Sequence, residues 1–297
     1  MFHNGRLLVY IDQNSNPQPL ISKAKRIASN CQLELMLFSP AFNSSLSEKS
    51  EHYQQAKDNM LRQQHLFLQE LAEPLQEQGI RCSVQVIWHK HPLDAVKEAH
   101  LRHPFDLLIK TTEYQNLLQR AFFTHTDWEL IRALKIPVLL CKGNKWTEKM
   151  STVVCVDPSH DAEAEGRGRD DRLIKIGQAT QQITMGELHL LHVYDPSPVL
   201  LHSEQPSLNH GLMMEELQQA HEQQFQQLAK RYQINEPYCH LEIGNVNEVI
   251  PEAVYTQGYG MVIMGAHSRH GLESFILGHT AERVLDRMTV DVLIVPN

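Results

Sequence analysis

Two α/β domains in tandem, each a doubly wound parallel sheet of five strands, are predicted by three features of this 297-residue chain. Short apolar runs alternate with helix-period patterns along its whole length. The runs are continuously apolar rather than alternating, as in a parallel sheet covered on both faces. The pattern also occurs twice. Leu8-Val9-Tyr10-Ile11-Asp12 has its counterpart in Val153-Val154-Cys155-Val156-Asp157, 145 residues later. Residues 90–142 fall without gaps on 244–296, an offset of 154, so that Leu107-Leu108-Ile109 matches Met261-Val262-Ile263 and His125-Thr126 matches His279-Thr280. Identities are few, but spacing persists over 53 positions, and the chain is an internal duplication.

In the first half a strand near 6–11 leads to a helix near 18–29 and a strand near 32–38. A long helix is expected over 48–78, where Leu61, His65, Leu68, Leu71 and Leu75 form an apolar stripe. A strand at 82–88, a helix at 92–102, a strand at 105–110, a helix from about 126 to 134 and a strand at 137–141 complete it. In the second half strands are expected near 152–156, 187–193, 237–243, 260–264 and 291–295. The domains are therefore 1–142 and 151–297, joined by a linker over 143–150 that carries Gly143, Asn144 and Lys145.

Composition narrows the function. Apolar residues make up 42% and charged residues 21%, a balance that excludes disordered and collagen-like chains. The longest apolar stretches are strand-sized, far short of the roughly 20 residues of a spanning helix. The N-terminus shows no cationic leader or cleavage site, so a cytoplasmic location is expected without membrane insertion. Net charge is −8, and it is divided unevenly: residues 1–147 carry 17 Lys+Arg against 14 Asp+Glu, residues 148–297 carry 10 against 21. Such a chain lacks the basic footprint of direct nucleic-acid binding, and the asymmetry favours contact between the halves. The five scattered cysteines fit small buried hydrophobes in a reducing compartment rather than disulfides or a zinc ribbon.

In open sheets of this kind ligands bind beyond the carboxyl ends of the strands, where strand order reverses. The residues to inspect are Asp12 and Thr111 onward, and Asp157 and Gly265 onward. Met264-Gly265-Ala266-His267-Ser268-Arg269-His270-Gly271 leaves a strand, and Gly278-His279-Thr280-Ala281-Glu282-Arg283 opens a helix. Such a pair of segments can cradle an anion with backbone N–H groups. Equally, the glycines turn the chain and Thr280 caps the helix. Residues 199–214, with Val199, Leu200, Leu201, Leu212, Met213 and Met214, are too apolar for an idle loop. They either wall an elongated ligand or pack on the neighbouring domain.

Gly265-x-x-Ser268, nine residues, then Gly278-His279 resembles the universal stress protein motif Gly-x-x-Gly, nine residues, Gly-Ser/Thr. With the aspartate ending the first strand, and with Phe105–Lys110 followed by Phe123–Trp128, the whole chain is similar to the tandem, E-type universal stress proteins. The resemblance implies an adenine-nucleotide α-hydrolase-like fold. For ATP-binding members it implies Asp157 at the base, Gly265, Ser268 and Gly278 in the loop, and His279 and Thr280 at the phosphate end. Ser268 and His279 depart from the motif; Arg269 and Thr280 supply a charge and a hydroxyl nearby. In the first half Thr111, Tyr114 and Thr124 replace the glycines, which argues against phosphate contact there. The resemblance further implies that the domains pair as a pseudo-dimer within the chain, with homodimerisation a further possibility.

Other chemistry is poorly supported. His89-Lys-His91 has no third ligand at a suitable spacing, and no His-Glu-x-x-His, nucleophile elbow or Walker loop occurs. The expected function is therefore a non-catalytic stress-response module with a small-ligand pocket in the C-terminal domain. An ATP-binding protein with slow ATPase activity and a ligand-free interaction scaffold are the alternatives. No metal is expected, and ATP or another small molecule is the candidate ligand.

Overall fold

The computed structural model describes residues 5–13, 15–49, 51–112, 124–159, 168–197, 210–266 and 279–296. The chain divides into two compact units, with the boundary between Lys145 and Trp146.

The N-terminal unit runs β1 (Arg6–Tyr10), α1 (Gln18–Cys31), β2 (Glu34–Ala41), α2 (Tyr53–Glu77), β3 (Cys82–Trp88), α3 (Pro92–Arg102), β4 (Leu107–Thr111), α4 (His125–Ala133) and β5 (Val138–Cys141). Its strands lie in the order β3-β2-β1-β4-β5, all parallel. The C-terminal unit runs β6 (Met150–Val156), α5 (Arg169–Thr184), β7 (Met185–Tyr194), α6 (His210–Arg231), β8 (Cys239–Ile243), α7 (Val246–Gln257), β9 (Met261–Gly265), α8 (His279–Asp286) and β10 (Asp291–Val295). Its order is β8-β7-β6-β9-β10, again parallel. Strand order reverses beside β1 in one unit and beside β6 in the other, which puts Asp12 and Asp157 at the two switch points.

The duplication is written in the strand registers. Leu8 pairs with Leu108 and Leu108 with Val138. Val153 pairs with Val262 and Val262 with Val292. These partners are related by the same offsets, 145 and 154, that align the halves of the sequence. The apolar runs supply the cores: Leu7, Leu8, Leu108 and Ile109 are fully buried in one unit, Val153, Val154, Leu190 and Val262 in the other.

Two elements differ from expectation. The long helix begins at Tyr53 rather than near 48. The Asn43 side chain accepts from the Ser45 N–H and the Ser47 hydroxyl from the Lys49 N–H, local bonds that compete with helix for the backbone. Within α2, Leu68, Ala72 and Leu75 are buried, while His65 is exposed, so the stripe turns away from that histidine. In the linker segment, the Trp146 indole N–H donates to buried Asp291 at 2.6 Å, within the C-terminal unit.

The start of β6 needs a glycine opposite it. The β6–β7 register shifts between Met150 and Thr152. A Cβ on Gly186 would lie 2.2 Å from the Met150 carbonyl oxygen and 2.7 Å from the Ser151 nitrogen. Because those atoms are backbone, Gly186→Ala is expected to destabilise the C-terminal unit by about 1–3 kcal/mol. Urea unfolding checks this; an unchanged midpoint would contradict it.

Among the described residues no helix is long and apolar enough to cross a membrane. Cys31 and Cys141 are buried, and none of the five cysteines forms a disulfide. Burial pushes the Cys82 thiol up to about 11 and the Cys155 thiol to about 12, so both stay protonated and unreactive at neutral pH.

Candidate functional site at the carboxyl ends of β6 and β7

Asp157 follows the last residue of β6 and is held on both sides. Its backbone N–H donates to the two carboxylate oxygens of Asp170 at 3.2 and 3.1 Å, and its Oδ1 accepts from the Ser159 hydroxyl. Asp170 is buried in the first turn of α5, entered through Gly168 at φ +83°. A carboxylate there faces the positive end of the helix dipole and receives an N–H from the strand that carries the site residue. The backbone at Asp157 is thus held by a side chain of α5.

Beside Asp157 stands a group of rings. His192 and Tyr194, two apart on β7, share the face covered by α6. His192 is 1% exposed, with Nδ1 3.1 Å from the Val156 carbonyl oxygen and Nε2 2.9 Å from Nδ1 of His221 on α6. His221 stacks on Tyr194 with centroids 4.2 Å apart and planes 11° from parallel. Phe225 closes the group, 5.8 Å from His192. A carbonyl oxygen can only accept, so His192 Nδ1 carries a proton. A second proton on Nε2 would place an imidazolium in the core, so Nε2 accepts and His221 Nδ1 donates. That leaves the lone pair of neutral His221 on Nε2. Burial holds the His221 pKa below the ordinary value, against the opposing pull of Asp157. The Tyr194 hydroxyl is buried and has no hydrogen-bond partner among the described residues; burial pushes its pKa up.

Gly265 ends β9, the neighbour of β6 across the switch point. The β6–β9 ladder pairs Thr152–Val154 with Met261–Ile263 and stops two residues before either strand ends. Among the described residues a Cβ on Gly265 would meet only Leu173 Cδ1, at 3.8 Å. Neither the packing of the described residues nor a left-handed backbone requires glycine at this position. Among the proposed loop residues, His267, Ser268, Arg269 and Gly278 lie outside the described residues, as does most of the apolar segment 199–214. His279 and Thr280 open α8, as the motif spacing implies.

At the corresponding end of the N-terminal unit, buried side chains pair with one another. Lys110 Nζ lies 2.9 Å from Asp127 Oδ1, with side-chain exposures of 3% and 0%. The ammonium also donates to the Thr111 carbonyl at 3.0 Å and sits 5.4 Å from the Tyr10 ring centroid. Asp127 completes a capping box with Thr124 at the start of α4, so the pair ties β4 to the first turn of that helix. Thr112 donates its hydroxyl to the Cys141 carbonyl at 3.2 Å. Here the β1–β4 ladder continues to Tyr10–Lys110, the last residue of β1. At the positions of Lys110 and Asp127 the second half carries Met264 and Ala281, and at those of His192 and Tyr194 the first half carries Ser39 and Ala41.

A second histidine pair occupies the opposite face of β7. His189 Nδ1 lies 2.9 Å from His240 Nε2, with Glu187, Tyr238 and Tyr259 around them. Among the described residues no group of three His, Cys, Asp or Glu can hold a metal ion. The His89 ring instead accepts from the His91 backbone N–H in a local turn.

Comparison with known proteins agrees with this architecture. The family model described as the universal stress protein family matches residues 3–142 and again 152–296. Universal stress protein E of Escherichia coli K12 is 26% identical over 300 residues, covering 99% of this chain and 94% of the relative. Universal stress protein E of Photorhabdus laumondii is 28% identical over 299 residues, covering 99% and 95%. Among solved structures, a protein of unknown function from Pseudomonas aeruginosa PAO1 superposes with TM-score 0.76 at 21% identity, covering 99% of this chain and 92% of that one. A universal stress protein from Archaeoglobus fulgidus superposes with TM-score 0.69 at 16% identity, covering 98% of each chain. With both halves matched and both folded alike, the chain belongs to the universal stress protein family.

Proposed function

We propose that this chain is a stress-response module whose C-terminal domain binds a small ligand without turning it over, while its N-terminal domain binds none. The observation that supports this reading is the contrast between the two switch points. In the N-terminal unit a buried ion pair and a longer ladder fill the end of β4. In the C-terminal unit the aligned pair is Met264 and Ala281, the ladder stops short, and among the described residues a Cβ on Gly265 would meet nothing closer than Leu173 Cδ1. Asp157, His221 and Tyr194 bring polar groups to that end, a combination typical of ligand pockets.

Gly265 also favours a nucleotide as the ligand, because a bare backbone at a strand end allows close approach by phosphates. The same site then belongs to a slow ATPase if a water is activated there. The two readings separate on whether nucleotide is hydrolysed.

Thermal melting of the full chain with ATP, and with a panel of amphiphilic small molecules, tests the proposal. A ligand that binds only the folded state raises Tm, by about 2.7 kcal/mol of stabilisation at 100 times its Kd. Gly265→Val is expected to leave the unliganded Tm within a few degrees, since among the described residues its Cβ meets only Leu173 Cδ1, at an ordinary contact distance, and a β-branched residue suits a strand. The same variant is expected to abolish the ligand-induced rise. No rise with any compound in wild type would reject the ligand-binding reading in favour of a scaffold.

A further inference from the structure

We infer that the free edge of β3 is a self-pairing surface, on which a second copy of this chain adds its own β3, antiparallel, about a two-fold axis through Gln85. The surface lies in the N-terminal unit and does not depend on the ligand reading above.

β3 ends the strand order of its unit and pairs only with β2 among the described residues. The Arg81 carbonyl accepts from the Leu35 N–H at 2.8 Å, and the His89 N–H donates to the Ala41 carbonyl at 3.1 Å. Backbone groups of successive strand residues point to alternate edges, so Arg81, Ser83, Gln85, Ile87 and His89 bond β2. Those of Cys82, Val84, Val86 and Trp88 point away from it. The Gln76 side-chain amide donates to the Cys82 carbonyl at 2.8 Å. Among the described residues nothing bonds the backbone groups of Val84 and Val86.

The strand lacks the devices that keep an edge from pairing. Cys82-Ser83-Val84-Gln85-Val86-Ile87-Trp88 holds no charge, no proline and no glycine, and its register with β2 is unbroken from end to end. The outer strand of the C-terminal unit, β8, is shorter and bears the exposed Glu242.

Charge and symmetry select the partner. A strand without charges meets no like charge when set against itself. Val84 and Val86 lie one residue to either side of Gln85. A two-fold axis there puts Val84 of each copy opposite Val86 of the other, as hydrogen-bonded pairs that exchange N–H and C=O in both directions. Gln85 then faces Gln85 of the second copy in the close, non-hydrogen-bonded position. Its Oε1 is shielded from solvent and has no hydrogen-bond partner among the described residues. Turned about its last torsion, the amide donates to and accepts from the same amide of the second copy, which gives that oxygen its donor. Towards the ends, Trp88 meets Cys82 of the second copy.

Sedimentation velocity of the full chain at micromolar concentration is expected to show a dimer. Gln85→Lys and Gln85→Glu each set like charges face to face on the axis. Both are expected to sediment as monomers with the circular dichroism of wild type. Mixed in equal amounts, they are expected to form a heterodimer, because opposite charges then meet. Should a charge variant fold poorly, Gln85→Cys gives a second test. Cα atoms of a close antiparallel pair lie about 4.5 Å apart, within disulfide range. Mild oxidation is therefore expected to yield a covalent dimer far faster than in the control Tyr255→Cys, at a residue 81% exposed on α7. A monomeric wild type, a dimer that persists in both charge variants, or cross-linking of Gln85→Cys no faster than the control overturns the assignment.

Discussion

Lys110→Met is expected to cost the N-terminal unit about 3–5 kcal/mol, because it leaves the Asp127 carboxylate charged and unpaired in a dry interior. The cause is the asymmetry of buried ion pairs. The intact pair adds little net stability over apolar residues, since desolvation offsets its attraction, but half of it is strongly destabilising. The double variant Lys110→Met/Asp127→Ala installs the residues found at the aligned positions of the second half, Met264 and Ala281. It is expected to recover most of the loss, less about 1 kcal/mol for the capping box. Urea unfolding of the two variants measures this. A single variant as stable as wild type would mean that the pair does not hold β4 to α4.

The C-terminal unit is expected to lose stability as pH falls below the ordinary histidine value of 6.5. Three of its histidines have folded-state pKa values held below that value. Burial lowers His189, the neighbouring His240 adds to the effect, and Glu187 opposes it. Burial lowers His240 against Glu242, and lowers His221 against Asp157. Around the first pair Tyr238 and Tyr259 remain neutral, with Tyr259 pushed up to about 12. A depressed folded pKa means the unfolded chain binds more protons, so stability is full above 6.5 and is lost as pH drops through the folded values. His189→Phe/His240→Leu is expected to flatten the part of the profile that this pair contributes. A wild-type Tm constant between pH 8 and 5 would contradict the account.

Much of the fold was legible because it depends on local pattern. The offsets 145 and 154, taken from residue types alone, reappear as strand register, since a parallel ladder allows a buried strand no slip without exposing its apolar residues. The misplaced start of α2 came from side-chain bonds at Asn43 and Ser47 that periodicity does not record. The places of Asp157, just after a strand, and of Gly265, at the end of one, beside a reversal of strand order were legible because both follow from strand pattern and topology. The His192–His221 relay was not, since its members lie 29 residues apart on a strand and a helix and meet only after packing. Lys110 left a usable signal: a lysine closing the apolar run Leu107-Leu108-Ile109 needs a buried partner, although only tertiary structure identifies Asp127.

Native mass spectrometry of the freshly purified full chain, with denaturation to release and identify anything bound, tests the central claim most directly. One small molecule per chain is predicted, retained in Asp12→Ala and lost in Gly265→Val. Two molecules per chain, or loss of the ligand in Asp12→Ala but not in Gly265→Val, would contradict the assignment of a single site to the C-terminal domain.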